Sequence, residues 1–403
     1  MPEPKVRFKR DDGSSYPAWK DYSISDLFTK IGNKNKDGQN TNVITNSAEF
    51  GLIPQRDYFD KDIAVEGNTG NYTIIQTGDF VYNPRKSSYA PMGPFNCYRL
   101  EEDGIVSPLY SCLRPKGVLN PEYLLWYFQT DKWYGYVNDH GAQNGARHDR
   151  VGMTDKILMG IPVTAPCEEE QRKIADFLSS VDEVITASEG EVANLETQKK
   201  AVMKKIFSQE VRFKRADGSD FPEWEAKKLG DVGTVLMCKR VFKEQTDDEG
   251  DIPFFKIGTF GGTPDAFISR ELFEDLKSKY SYPKKGNILL SAAGTIGRAV
   301  VYNGEDAYYQ DSNIVWLDHD DTITDDYLLQ FYDMTTWDNL EGGTVKRLYN
   351  GILLDKDIGI PCLEEQQLIA DFLSNFDEAI AAAKKELELW KELKKGLLQQ
   401  MFV

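Results

Sequence analysis

An eleven-residue string occurs twice in this chain, and each copy opens a long amphipathic stretch. Residues 169–179 read E-E-Q-R-K-I-A-D-F-L-S and residues 364–374 read E-E-Q-Q-L-I-A-D-F-L-S, with nine of eleven positions identical at a displacement of 195. Apolar or small residues follow the first copy at Ile174, Leu178, Val181, Ile185, Ser188, Val192, Leu195, Val202 and Ile206. The same displacement gives Ile369, Leu373, Phe376, Ile380, Ala383, Leu387, Trp390, Leu397 and Met401. Alternating steps of four and three residues are the seam of a coiled coil. The seam is broken at Lys199 and broken again at Lys394. A shared register with a shared defect predicts two long helices built to one plan.

Charge predicts how those helices pair. Each opens acidic (Glu168, Glu169, Glu170, Asp176, Asp182, Glu183; Glu364, Glu365, Asp371, Asp377, Glu378) and closes basic (Lys199, Lys200, Lys204, Lys205; Lys384, Lys385, Lys391, Lys394, Lys395). That gradient suits the helix dipole. Parallel pairing would set acid against acid, so an antiparallel pair is expected. Roughly 40 residues at about 1.5 Å each make a rod of about 60 Å.

A second repeat precedes each globular stretch. V-R-F-K-R-D-D-G-S-S-Y-P-A-W (6–19) returns as V-R-F-K-R-A-D-G-S-D-F-P-E-W (211–224), ten of fourteen positions matching. Asp12-Gly13 and Asp217-Gly218 signal turns, and Trp19 and Trp224 are expected to anchor the arms. The order is arm 1–20, globular domain 21–160, helix 161–210, arm 211–225, globular domain 226–360 and helix 361–403. This predicts an α+β protein with pseudo-two-fold symmetry, its two mixed α/β domains separated by two long antiparallel coiled-coil helices.

Inside the domains, β-rich runs are expected at Asn71–Gln76, Asp79–Tyr82 and Val106–Leu113, then at Asn287–Ser291, Ala299–Tyr302 and Asn313–Leu317. A helix-like aromatic segment follows in each, Pro121–Trp133 and Asp325–Trp337. Each domain leaves through Ile-Pro (Ile161-Pro162, Ile360-Pro361) into its long helix.

Composition narrows the function classes. The chain of 403 residues is 40% hydrophobic and 12% aromatic, which is globular. No apolar run approaches 18 residues, so a soluble, intracellular protein is expected. Five scattered cysteines without a C-x-x-C and only three histidines argue for free thiols and against a zinc or histidine-built metal site. The net charge of −17 is unlike a simple DNA-binding domain. Any nucleic-acid contact must therefore rest on local clusters or on a basic partner.

Catalytic signals are absent from the sequence. There is no [D/N]-P-P-[Y/F] to orient a target amine and no G-x-x-x-x-G-K-[ST] phosphate loop. Gly258-Thr259-Phe260-Gly261-Gly262 is a lone glycine-rich turn. Asp265 with Glu274 and Lys277 could only by analogy be a metal-dependent nuclease site, and solvated charge explains them as well.

Binding signals are clustered. Asn83, Arg85, Lys86, Ser87, Ser88 and Tyr89 follow a strand of the first domain, and Gln143, Asn144, Arg147, His148 and Arg150 gather near its exit. In the second domain the candidates are Lys239, Arg240 and Lys243, Thr295 and Arg298, and Lys346, Arg347 and Tyr349. Arg and Lys can pair with guanine edges, Asn and Gln with adenine, and all can hold phosphates.

Taken together, the chain resembles the specificity (S) subunit of a type I restriction–modification system over essentially its full length. The resemblance rests on Ile161-Pro162 and Ile360-Pro361, each followed by its E-E-Q helix start. The stretches G-N-I-L-L-S-A-A-G-T-I-G (286–297), G-I-V-S-P-L-Y (104–110) and P-E-W-E-A-K-K-L-G-D-V (222–232) add to it. The resemblance implies two target recognition domains, each reading half of a bipartite double-stranded DNA sequence. It implies helices that set the spacing and dock two methyltransferase (M) subunits, and a restriction (R) subunit beside them. S-adenosylmethionine, ATP and Mg would belong to those partners, with no cofactor and no catalysis in this cytoplasmic chain. The alternative is a stand-alone two-headed DNA-binding or scaffold protein. The first domain departs from the pattern, carrying N-P-R-K-S-S where the second has A-A-G-T-I-G.

Overall fold

The first long helix spans Glu168–Phe207 and the second Leu363–Met401 in the computed structural model, which describes residues 3–58, 69–141, 149–337 and 346–403. Every seam position read from the sequence is buried or half-buried. The chain divides into two compact units. One holds the described residues as far as Glu189 together with Lys385–Val403, and the other holds Gly190–Lys384. Each unit therefore contains a part of both helices.

Within each unit the two helical parts run antiparallel. In the first, Lys394 Nζ meets Asp182 Oδ1 at 2.5 Å and Lys391 Nζ meets Glu189 Oε1 at 2.9 Å. In the second, Lys384 Nζ lies 2.6 Å from Glu196 Oε1 and Lys199 Nζ 2.6 Å from Asp377 Oδ1. Numbers rise on one helix as they fall on the other, so the basic tail of each faces the acidic part of its partner.

Both units are mixed α/β. The strands of the first are β1 Lys20–Ser23, β2 Phe28–Lys30, β3 Val43–Ser47, β4 Gly51–Pro54, β5 Thr73–Ile75, β6 Phe80–Tyr82, β7 Phe95–Cys97, β8 Gly104–Val106, β9 Ser111–Pro115 and β10 Pro162–Ala165. Those of the second are β11 Glu225–Lys228, β12 Gly233–Leu236, β13 Ile252–Phe255, β14 Phe267–Ile268, β15 Ile288–Ser291, β16 Ala299–Val301, β17 Tyr308–Tyr309, β18 Ile314–His319 and β19 Asp357–Ile360. An antiparallel sheet of order β2-β9-β6-β7 in the first unit is matched by β12-β18-β15-β16 in the second. A second sheet, β4-β3-β8-β5 against β14-β13-β17, contains one parallel pair in each copy, β3 with β8 and β13 with β17. The sequence run Val106–Leu113 is two strands, because Ser107-Pro108 begins a turn closed by Tyr110 N–H to Ser107 O.

The aromatic helices are shorter than their sequence pattern. Pro121–Phe128 starts at Asn120, whose side chain accepts from Glu122 and Tyr123 N–H, with proline at the first helical position. Past its end at Phe128, Thr130 donates to Tyr127 O through both its backbone N–H and Oγ1, and Trp133 Nε1 donates to Phe128 O. Its counterpart, Asp325–Met334, is capped by Thr324.

Each unit is mounted by the same device. Arg7 donates to the buried Glu170 from Nε at 3.0 Å and Nη2 at 2.8 Å, and Arg212 reaches the buried Glu365 at 3.3 and 2.9 Å. Phe8 packs edge-on against Phe177, and Phe213 against Phe372. The next residue of the motif is equally committed. Gln171 accepts from Asn120 N–H and donates to Pro166 O, while Gln366 accepts from Thr324 N–H and donates to Pro361 O. The E-E-Q string thus joins arm, helix start and aromatic helix in one buried polar network. At the Ile-Pro exits, β10 begins with Pro162 and β19 ends with Ile360, and they pair antiparallel with β1 and β11 just after the arms. Among the described residues, no helix is long and apolar enough to cross a membrane.

Candidate nucleic-acid interface

The antiparallel sheet of the second unit positions a rim of loops. Residues 237–243 leave β12, 256–262 leave β13, 292–298 leave β15, and 310–313 enter β18. Hydrogen bonds bring these segments together: Ala292 N–H to Asn313 O at 2.7 Å, Gln310 N–H to Phe255 O at 3.0 Å and Leu348 N–H to Ala292 O at 2.9 Å. Arg240 donates to Asp311 at 2.9 Å, which raises its pKa above the ordinary arginine value and keeps it charged. Arg347 Nη2 donates to Ser312 O and to Asn313 Oδ1, at 3.0 and 2.7 Å. Lys239 Nζ sits 5.0 Å from the centre of the Tyr280 ring, a cation–π contact.

The A-A-G-T-I-G loop is held from inside. Ser291 Oγ donates to Thr295 O and accepts from Arg298 N–H, leaving the Thr295 side chain exposed. Arg298 Nη1 donates to Phe260 O at 2.7 Å, so the glycine-rich turn 258–262 is a brace for this loop. Gly297 has φ +86°, and a Cβ there would meet Trp337 Cδ1 at 2.4 Å. Lys346 is exposed.

The first unit has the same rim with other side chains. Residues 83–94 occupy the connection between β6 and β7 that 292–298 occupy between β15 and β16. Val151 N–H to Pro84 O repeats the Leu348 to Ala292 bond, and Lys86 N–H reaches Asp149 O at 2.9 Å. Arg85 and Arg150 therefore face each other as an isolated bridge, with Arg150 in the place of Arg347. Arg85 Nη2 lies 3.8 Å from Asp149, and Ser87 closes a turn onto Ala90 N–H. Tyr89 is 70% exposed and, with Phe50, Arg99, Lys391, Lys394 and Lys395, lines a groove of about 1030 Å³ within this unit.

Most of the residues marked in the sequence thus reach the two rims. Asn83 does not serve there: it is buried, donating to Asn46 O and accepting from Arg85 N–H, so it holds the loop rather than presenting an amide. Asn144 and Arg147, with Gln143 and His148, lie outside the described residues. Two structural residues escaped sequence reading. Asp311 is a single acid beside basic loops, and Asn46 shows no local signal.

The nuclease grouping does not assemble. Asp265 pairs with Lys256 at 2.9 Å, Glu274 faces Arg270 at 4.0 Å, and Lys277 lies over the Phe273 and Tyr282 rings. Among the described residues no group of three or more His, Cys, Asp or Glu could hold a metal ion. Burial pushes the Cys238 and Cys112 thiols up to about 12, which makes them core groups and poor nucleophiles.

The class so defined is a duplicated α+β protein whose two units share a pair of long antiparallel helices and carry matched loop rims. Residues 222–389 match the type I restriction modification DNA specificity domain. A relative from Haemophilus influenzae, bearing the name of a type I restriction enzyme specificity subunit, is 52% identical over 177 residues. That match covers 41% of this chain and 46% of the relative's length. The MjaVIII specificity subunit of Methanocaldococcus jannaschii is 26% identical over 320 residues, 74% of this chain and 73% of that one. A solved structure concerned with assembly and conformational transition of the type I R-M system shares the fold. Its TM-score is 0.59 at 19% identity, with 96% of this chain and 98% of that chain covered. Residues 222–389 thus carry the type I restriction modification DNA specificity domain, and the chain is similar to curated specificity subunits over as much as 74% of its length.

Proposed function

We propose that this chain is the DNA sequence-specificity subunit of a type I restriction–modification complex. Each unit reads one half of a bipartite duplex target through its loop rim. The long helices set the gap between half-sites and dock two methyltransferase subunits, with restriction subunits joining the assembly. Catalysis, and with it S-adenosylmethionine, ATP and Mg, belongs to those partners, and the complex works in the cytoplasm.

One observation carries this reading: two units with the same strand order in their antiparallel sheet and the same arginine–glutamate mount display different side chains on equivalent loops. A constant scaffold with variable loops is what two readers of different half-sites require. The acidic balance of −17 then assigns much of the phosphate-binding charge to the partners. The chain alone should bind duplex DNA weakly, with affinity falling steeply as salt rises.

The test is adenine methylation mapped across a host genome, with methyltransferase subunits expressed in the presence and absence of this chain. A gapped motif should be methylated only when the chain is present. Equal methylation in both strains would remove the reading.

A further inference from the structure

Residues 310–313 form a four-residue hub on which the rim of the second unit converges. Ile314 N–H closes the turn onto Gln310 O at 3.1 Å, and Ser312 adopts the left-handed region at φ 59°. Gln310 Oε1 accepts from Ile257 N–H at 2.9 Å, Asn313 O accepts from Ala292 N–H, and Ser312 O with Asn313 Oδ1 accepts from Arg347. The remaining residue, Asp311, turns its carboxylate to Arg240. That carboxylate is 15% exposed whereas the Arg240 side chain is 60% exposed.

The contact uses one edge of the guanidinium. Nε and Nη2 both lie 2.9 Å from Asp311 Oδ2. Nη1, and the second hydrogen of Nη2, have no partner among the described residues. These two donors form the planar fork that matches the O6 and N7 acceptors of guanine in the major groove. The same fork also matches two phosphate oxygens, and only a guanine contact makes the arginine matter at a single base pair of the motif. Fixing one edge of an exposed arginine removes rotamer freedom that would otherwise be lost on binding.

We propose that Arg240 reads a guanine in the half-site recognised by the second unit, and that Asp311 is its positioning residue. This rests on the specificity-subunit reading. Asp311 does not touch the base. It holds the guanidinium plane, and the hub ties that plane to the three other loops of the rim.

The experiment maps methylated motifs in a host expressing the methyltransferase subunits with the full chain, as wild type, Arg240→Ala or Asp311→Asn. For Arg240→Ala, discrimination at one G·C pair, in one half of the motif only, should fall by about 5- to 150-fold. Asp311→Asn should relax the same position by less and leave the other half untouched. A second measurement has a wild-type arm that no variant's misfolding can confound. Replacing that guanine by 7-deazaguanine, which lacks N7, should weaken binding several-fold for wild type and not for Arg240→Ala. An unchanged motif in both variants, with or without a uniform loss of methylation, would overturn the assignment in favour of a phosphate or scaffold contact. A wild-type chain that directs no methylation would instead remove the specificity-subunit reading itself, and this assignment with it.

Discussion

Lys199 Nζ sits 2.6 Å from Asp377 Oδ1 across the helix pair, and Lys394 Nζ sits 2.5 Å from Asp182 Oδ1. Both lysines and both aspartates are related by the 195-residue displacement, so the two breaks in the apolar seam are a matched pair of ion bridges. Around each bridge the neighbours differ. Lys199 is also 2.6 Å from Asp333, and Gln330 donates to Asp377, whereas Lys394 lies over the Trp126 ring. A lysine in an apolar seam fixes register because any slip leaves it buried without a partner.

Lys199 should therefore be the more costly of the two to remove. Burial opposes its charge, yet the hydrogen bonds to Asp333 and Asp377 outweigh burial and hold its pKa above the ordinary lysine value. Lys199→Met is expected to destabilise the second unit by about 1–2 kcal/mol, since both aspartates can still reach water. Lys394→Met, at a position 22% exposed, should cost less. Denaturant unfolding monitored by tryptophan fluorescence measures both; equal losses would show that the double partnership of Lys199 adds nothing.

Removing the arm arginine should expose the strength of the mount. Glu365 is fully buried and takes Arg212 and Trp224 Nε1 together. Arg212→Ala leaves a buried carboxylate short of its counter-charge, an expected loss of about 2–4 kcal/mol. Adding Glu365→Gln should recover part of that loss, because the uncompensated charge goes with it. Strictly additive effects in the double-mutant cycle would deny the coupling.

His319 gives the second unit a pH response. Its Nε2 lies 3.2 Å from Asp325 Oδ1 and its Nδ1 2.9 Å from Asp320 O, so both ring nitrogens face acceptors. The bond to Asp325 raises the pKa above the ordinary 6.5, against the effect of burial. A raised folded pKa means this stabilisation is fully present below about 6.5 and is lost as pH rises through the folded value. Unfolding midpoints should fall between pH 6 and 8 in wild type by more than in His319→Gln. Parallel pH profiles would contradict this.

The 292–298 loop should not tolerate a side chain at Gly297. With φ +86° and Trp337 in the way, Gly297→Ala is expected to cost about 1–3 kcal/mol. It should also lower methylation through the second half-site, while Gly190→Ala, on the first long helix with nothing near its Cβ, should leave methylation intact. Methylation frequency per site, alongside a melting curve, checks both.

Periodicity made the helices legible: the seam, its two lysine breaks and the acidic-to-basic gradient all became packing and ion pairs. The mount was half legible. Glu170 and Glu365 read as ordinary acids at a helix start, yet each is buried against an arginine 163 or 153 residues away in the chain. Only the joint repetition of V-R-F-K-R and E-E-Q could have linked them, because no local rule spans such a gap. The rim was legible as charge but not as geometry. Asn83 looked like a surface amide after a strand, and its burial depends on Asn46 from the other sheet. Asp311 was invisible because a single acid beside basic loops has no pattern of its own.

The most direct test of the two-reader account exchanges residues 21–160 for the equivalent domain of another specificity subunit and maps the methylated motif. One half of the motif should change to that of the donor, while the other half and the gap between them stay as they were. A change in both halves, or in neither, would contradict it.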